Sequence, residues 1–72
     1  MPAPRSPAAL AFGARLRVLR LAAGLSQQDL AVRAGCSRGY VGHLEQGRSL
    51  PHRKTIYALA RALGADVREL LG

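Results

Sequence analysis

Cysteine is nearly absent from this chain. Cys36 stands alone, so no intrachain disulfide can form and nothing points to an oxidising compartment. Acidic residues are scarce: four, against eleven lysines and arginines, for a formal charge of +7. That balance favours polyanionic partners without choosing a fold. No apolar run approaches the ~18 residues needed to span a membrane. Residues 1–7 carry Pro2, Pro4 and Pro7. They lack the apolar segment and cleavage site of a signal peptide, and the expectation is a disordered tail. Catalysis fails on inventory. One cysteine, two histidines and four acids show no metal-ligand spacing, and no glycine loop is built to cradle a phosphate. His43 and Glu45 stand on different faces of one helix and make no acid–base pair. The expectation is no enzyme, no metal and no cofactor.

A chain of 72 residues holds one domain. A domain this short buries only about 60% of its unfolded surface. Hydrophobic residues make up 49% of the chain and aromatic ones only 4%, which suits a small helical core of Ala, Leu and Val. Cys36 reads as a packed small hydrophobe in it, with a redox sensor as the lesser alternative.

Periodicity predicts five helices and no strand, repeat or linker. Helix 1 spans residues 8–23, with Phe12, Leu16, Leu19 and Ala23 on one stripe, and Gly24 ends it. Helix 2 spans 27–34 and helix 3 spans 38–46, closed by Gly47. A loop covers 48–51. Helix 4 spans 52–63 and buries Ile56, Leu59, Ala60 and Leu63 before Gly64 stops it. Asp66 caps a last helix, with Glu69 completing an Asp-x-x-Glu box.

The most informative stretch is Leu25 to Gly47. Ser26 caps helix 2 and Ser37 caps helix 3, because the first N–H groups of a helix lack internal partners. Asp29 makes a weak capping box with Ser26. Leu30, Ala31 and Ala34 share one face, as do Val41 and Leu44. Gly35 sits where helix 2 must end, in the left-handed conformation that glycine tolerates. Two short capped helices joined by a glycine turn outline a helix-turn-helix. The second helix of such a unit enters the DNA major groove.

The ordered set Arg20, Gly24-Leu25-Ser26-Gln27, Leu30-Ala31, Gly35, Ser37, Val41 and Glu45-Gln46-Gly47 resembles the phage repressor/Cro-type helix-turn-helix family, also called the xenobiotic-response-element type. Pro51, Thr55-Ile56, Leu59-Ala60 and Leu63-Gly64 extend the resemblance, which runs from about Phe12 to Leu71. It implies an all-α, compact five-helix, lambda-repressor-like domain over residues 8–72.

The resemblance also assigns roles. Arg38, Gly39, Tyr40, Gly42 and His43 occupy positions that face base edges. Arg38 lies in the first turn of helix 3, where its fork matches guanine O6 and N7. The alternative for Arg38 is a phosphate contact alone, and for His43 an ordinary exposed residue. Gly39 and Gly42 each cost a free helix about 1 kcal/mol relative to alanine. Close approach of the backbone to DNA explains them, and so does the absence of any pressure at those positions. Gln27, at the start of helix 2, matches a phosphate-contacting position, as do Gln46 and Arg48. Arg15, Arg17, Arg53 and Lys54 are further candidates for the same face. Phosphate contacts position the protein, whereas base contacts specify sequence. Arg20 and Glu45 match an internal ion pair between helices 1 and 3. A carboxylate on a DNA-facing helix would otherwise repel phosphates. Arg5 either follows a DNA groove or is inert.

The expected function is sequence-specific binding of double-stranded DNA by a cytoplasmic, nucleoid-associated transcriptional regulator, acting by repression. One recognition helix covers few base pairs, so a homodimer on DNA is expected, with Val67, Leu70 and Leu71 as its contact. The alternative is an interaction module of the same fold, such as an antitoxin that binds a toxin. A contiguous patch of Val18, Leu21 and Val32 would favour such a protein partner.

Overall fold

The structure is a computed structural model that describes residues 5–72. Five helices follow one another: α1 (Pro7–Ala22), α2 (Gln27–Ala34), α3 (Arg38–Glu45), α4 (Arg53–Leu63) and α5 (Val67–Leu71). The described residues contain no strand.

Local chemistry sets the boundaries. Ser6 caps α1 by accepting a hydrogen bond from the Ala9 N–H at 3.1 Å. Pro7 takes the first helical position, where its missing N–H has no partner to lose. The expected tail therefore shortens: Ser6 and Pro7 belong to the helix start, and residues 1–4 lie outside the described residues. At α2 the capping box is complete. The Asp29 N–H donates to Ser26 Oγ at 2.9 Å, and the Ser26 N–H donates to Asp29 Oδ2 at 3.0 Å. Gly35 stops α2 at φ 74° and ψ 34°, the left-handed region. Ser37 then caps α3 through the Tyr40 N–H at 3.1 Å. At α5 the Asp66–Glu69 box closes in the same way.

α1 packs on α3 and α5, α2 packs on α3 and α4, and α4 packs on α5. The core between them is Phe12, Leu16, Leu30, Ala31, Val41, Leu44, Ile56, Leu59, Ala60 and Leu70. Full burial of each leucine is worth about 1.5–3 kcal/mol relative to exposure. Leu19 joins this core partly buried, whereas Ala23 lies beyond the end of α1 and is exposed. Leu63 is likewise half-buried rather than enclosed. Cys36 is half-buried against the core, and burial pushes its thiol pKa up, away from the reactive thiolate.

Gly13 explains how closely α1 meets α3. A Cβ there would strike the Leu44 carbonyl oxygen and lie 2.9 Å from that of Glu45. The backbone of α1 thus rests on the C-terminal end of α3. The sequence signal for this was a glycine inside an apolar helix, a costly residue that calls for a packing reason.

Candidate nucleic-acid interface

Arg20 fixes α3 in place from beneath. It is 8% exposed, at the end of α1. Its Nε donates to Glu45 Oε2 at 2.6 Å and its Nη2 to Glu45 Oε1 at 3.0 Å. Its Nη1 donates to the Leu25 carbonyl at 2.9 Å, in the turn before α2. The hydrogen bonds that the guanidinium donates to Glu45 hold its pKa above the ordinary value. Gln27, the first residue of α2, adds a bond from Nε2 to Glu45 Oε1 at 3.2 Å. One carboxylate thereby ties together α1, α2 and α3.

This network removes Glu45 from the exposed face of α3. The other acids are occupied elsewhere. Asp29 caps α2, Asp66 and Glu69 cap α5, and Asp66 also accepts from Arg68 Nε at 3.2 Å. All four carboxylates thus serve caps or ion pairs, and α3 presents no unpaired negative charge.

The expected base-contacting residues divide. Arg38 and Gly39 are exposed in the first turn of α3, and a Cβ on Gly39 would meet open space. Gly42 is half-buried, and a Cβ there would lie 3.7 Å from Gln27 Oε1. Gln27 partly covers it, so Gly42 is withdrawn from the open face. Tyr40 is half-buried against the core, and its ring stacks on His43 with centroids 6.1 Å apart and planes 15° apart. His43 Nε2 lies 2.9 Å from Ser49 Oγ, so its ring is fixed rather than freely exposed. Gly39, His43, Gln46 and Arg48 line a polar groove of about 260 Å³ along this side of α3.

The expected phosphate residues divide as well. Gln46 and Arg48 stand exposed just past α3, with Arg48 Nε donating to Gln46 Oε1 at 2.7 Å. Arg17 is exposed one helical turn beyond Gly13, on the side of α1 nearer α3. Arg53 and Lys54 are exposed at the start of α4. Gln27 spends one amide hydrogen on Glu45, so it serves the internal network as well as the start of α2. Arg15 is a correction. Its guanidinium covers Gly72, and it lines a groove with Ala14, Val18, Leu19 and Glu69. Arg15 belongs to the α1–α5 side, away from α3, because two residues along a helix turn a side chain about 200° from Gly13.

The expected dimer edge is also corrected. Leu70 is fully buried, because it closes the core beneath α1 and α4. Val67 is half-buried and Leu71 is 52% exposed, so only these two leave apolar surface on α5.

A capped helix pair with a left-handed glycine between them, the second helix braced from below and open in its first turn, defines a helix-turn-helix protein of the phage-repressor type. The chain belongs to the helix-turn-helix domain family, which it matches over residues 11–71. It is 41% identical over 59 residues to y4dJ, an uncharacterized HTH-type transcriptional regulator of Sinorhizobium fredii, covering 82% of this chain and 77% of that one. It is 35% identical over 63 residues to the immunity repressor protein of Bacillus phage phi105, covering 88% of this chain. It spans only 44% of that repressor's length. Among solved structures, the restriction-modification controller protein C.AhdI of Aeromonas hydrophila superposes with a TM-score of 0.83 at 47% identity, over 86% of this chain and 94% of that one. The clp gene regulator ClgR of C. glutamicum superposes with a TM-score of 0.86 at 33% identity, over 92% of this chain and 86% of that one. No described helix is long and apolar enough to cross a membrane.

Proposed function

We propose that this protein is a sequence-specific DNA-binding transcriptional regulator that represses by occupying a promoter in the cytoplasm, at the nucleoid. One observation carries the reading: α3 is locked to α1 and α2 through Glu45, yet leaves Arg38 and Gly39 exposed and free of neighbouring acids. Rigid placement of a forked donor is what base readout in a major groove requires. Arg38 reads a base edge, with Gly39 admitting close approach of the backbone. His43 sits further along α3, where the stacked Tyr40 ring orients it, and Gly42 leaves room for Gln27 beside it. Arg17, Gln27, Gln46 and Arg48 contact the phosphates. Relatives named as transcriptional regulators and as an immunity repressor support the same function.

A single α3 spans too few base pairs to select one site. The protein therefore binds as a homodimer on a roughly two-fold symmetric site, with half-sites about 34 Å apart. The interaction-module alternative turns on Val18, Leu21 and Val32, which are exposed on two helices, the first two on α1 and the third on α2. Selection from a random double-stranded DNA pool tests the proposal. The expected outcome is one symmetric motif. Recovery of sequences with no common motif would overturn it.

A further inference from the structure

Arg5 precedes the cap of α1, yet its contact lies on α3. Its Nη1 donates to the Gln46 carbonyl at 2.8 Å, across 41 positions of sequence. Gln46 is the C-cap of α3. The last carbonyls of a helix have no partner within it and carry partial negative charge, which favours a cation there. The same residue is engaged a second time, because Arg48 Nε donates to Gln46 Oε1 at 2.7 Å. Two exposed guanidinium groups are thus anchored on one residue, at the end of the polar groove of Gly39, His43, Gln46 and Arg48. The adjacent Glu45 neutralises neither, since its oxygens receive Arg20 and Gln27.

We propose that Arg5 is a further phosphate-contacting residue, working beside Arg48 on the DNA backbone at the C-terminal end of α3. The inference rests on the DNA-binding reading above. Arginine has five N–H donors in a planar fork, and a single bond to Gln46 leaves an edge that matches phosphate geometry. The anchor also restricts the side chain before DNA arrives, which lowers the entropy lost on binding. A residue from the N-terminal end of the chain then contributes to the same electrostatic surface as α3.

The test is a salt titration of the full chain. Wild type, Arg5→Gln, Arg5→Lys and Arg48→Gln are each measured on a duplex of about 30 base pairs carrying the selected site, and on an unrelated duplex, from about 0.05 to 1 M salt. Arg5→Gln is expected to reduce the slope of log K against log salt by about 0.9, as Arg48→Gln does. The deficit relative to wild type then grows about fivefold between 1 M and 0.15 M salt. It is the same on both duplexes, and Arg5→Lys retains the slope. If Arg5→Gln lowers the melting temperature but leaves the slope intact, Arg5 only caps α3 and the proposal is overturned, while a reduced slope in Arg48→Gln leaves the DNA reading standing. If wild type itself shows no salt-dependent binding to either duplex, the DNA reading fails and this inference falls with it.

Discussion

Glu45 gives both carboxylate oxygens to Arg20, in a paired fork closed at 2.6 and 3.0 Å. The two side chains retain only 10% and 5% of their exposure. Arg20 comes from α1 and Glu45 from α3, the proposed recognition helix, so the pair fixes how α3 is seated on α1. Desolvation opposes such a pair, and the extra bonds from Arg20 to Leu25 and from Gln27 to Glu45 offset that cost by satisfying the remaining polar atoms.

Removing either partner strands the other charge in a site nearly closed to water. Arg20→Ala and Glu45→Ala are each expected to cost about 3–5 kcal/mol of folding stability. The double substitution should cost less than the sum of the two. Thermal melts of the three variants check this. Independent, near-zero effects would mean that the pair does not brace the fold.

The helical glycines predict opposite outcomes. A methyl at Gly13 collides with the α3 backbone, which cannot retreat without opening the α1–α3 contact, so Gly13→Ala should destabilise by about 1–3 kcal/mol. A methyl at Gly39 enters open space, so Gly39→Ala should stabilise by about 0.5–1 kcal/mol through helix propensity. If α3 approaches DNA closely at Gly39, the same change weakens DNA binding. Denaturant melts and a DNA titration on one preparation separate the two effects. A Gly39→Ala protein that is more stable and binds as well as wild type would remove close approach as the reason for this glycine.

Arg38→Ala should cost about 1–3 kcal/mol at the preferred site and relax specificity at one base position. Binding to every single-base variant of that site is the measurement. Equal weakening of all variants would make Arg38 a phosphate contact instead.

Two caps give a pH dependence of known sign. Hydrogen bonds from Ser26 hold the Asp29 carboxyl below its ordinary pKa, and bonds from Arg68 do the same for Asp66. A group with a depressed folded pKa contributes stability above its unfolded value, near 4, and loses it as pH falls through the folded value. Asp29→Asn should therefore be less stable than wild type at neutral pH, and the gap should close as pH falls past the unfolded value and through the lower folded one. Melting temperatures across that range decide it. A gap that persists unchanged in acid would show that the carboxylate charge is not what caps α2.

The legible parts of this molecule are those written in local chemistry. Ser26, Gly35 and Ser37 mark the ends of α2 and α3 because caps and left-handed turns are decided within a few residues. The Arg20–Glu45 pair, 25 positions apart, was reached through family resemblance, since nothing local links the two. The contacts of Gly13 on α3 and of Arg5 on Gln46 also depend on how distant helices pack, and no periodicity encodes them. Ser6 and Pro7 were a local signal for the start of α1, obscured by the other prolines around them. α5 has only five residues, barely more than one turn, so its apolar pattern could not say which of Leu70 and Leu71 faces inward.

The burial of Leu70 beside the exposure of Leu71 bears on assembly. Leu70 is fully enclosed, so Leu70→Ala should cost about 2–5 kcal/mol and unfold much of the protein at physiological temperature. Leu71 is half-exposed on the adjacent position of α5, with Val67 one turn before it. If these two form the contact between copies on DNA, Leu71→Ser should melt like wild type yet bind a full symmetric site more weakly. Its affinity for an isolated half-site should be unchanged, because that complex has no contact between copies. Sedimentation of wild type and variant on both duplexes reads the stoichiometry directly. Two copies of wild type on the full site and one on the half-site are expected. Equal affinity of a single wild-type copy for both duplexes would rule out the dimer. A Leu71→Ser protein that pairs as well as wild type would instead move the contact off α5, to another exposed surface of the domain.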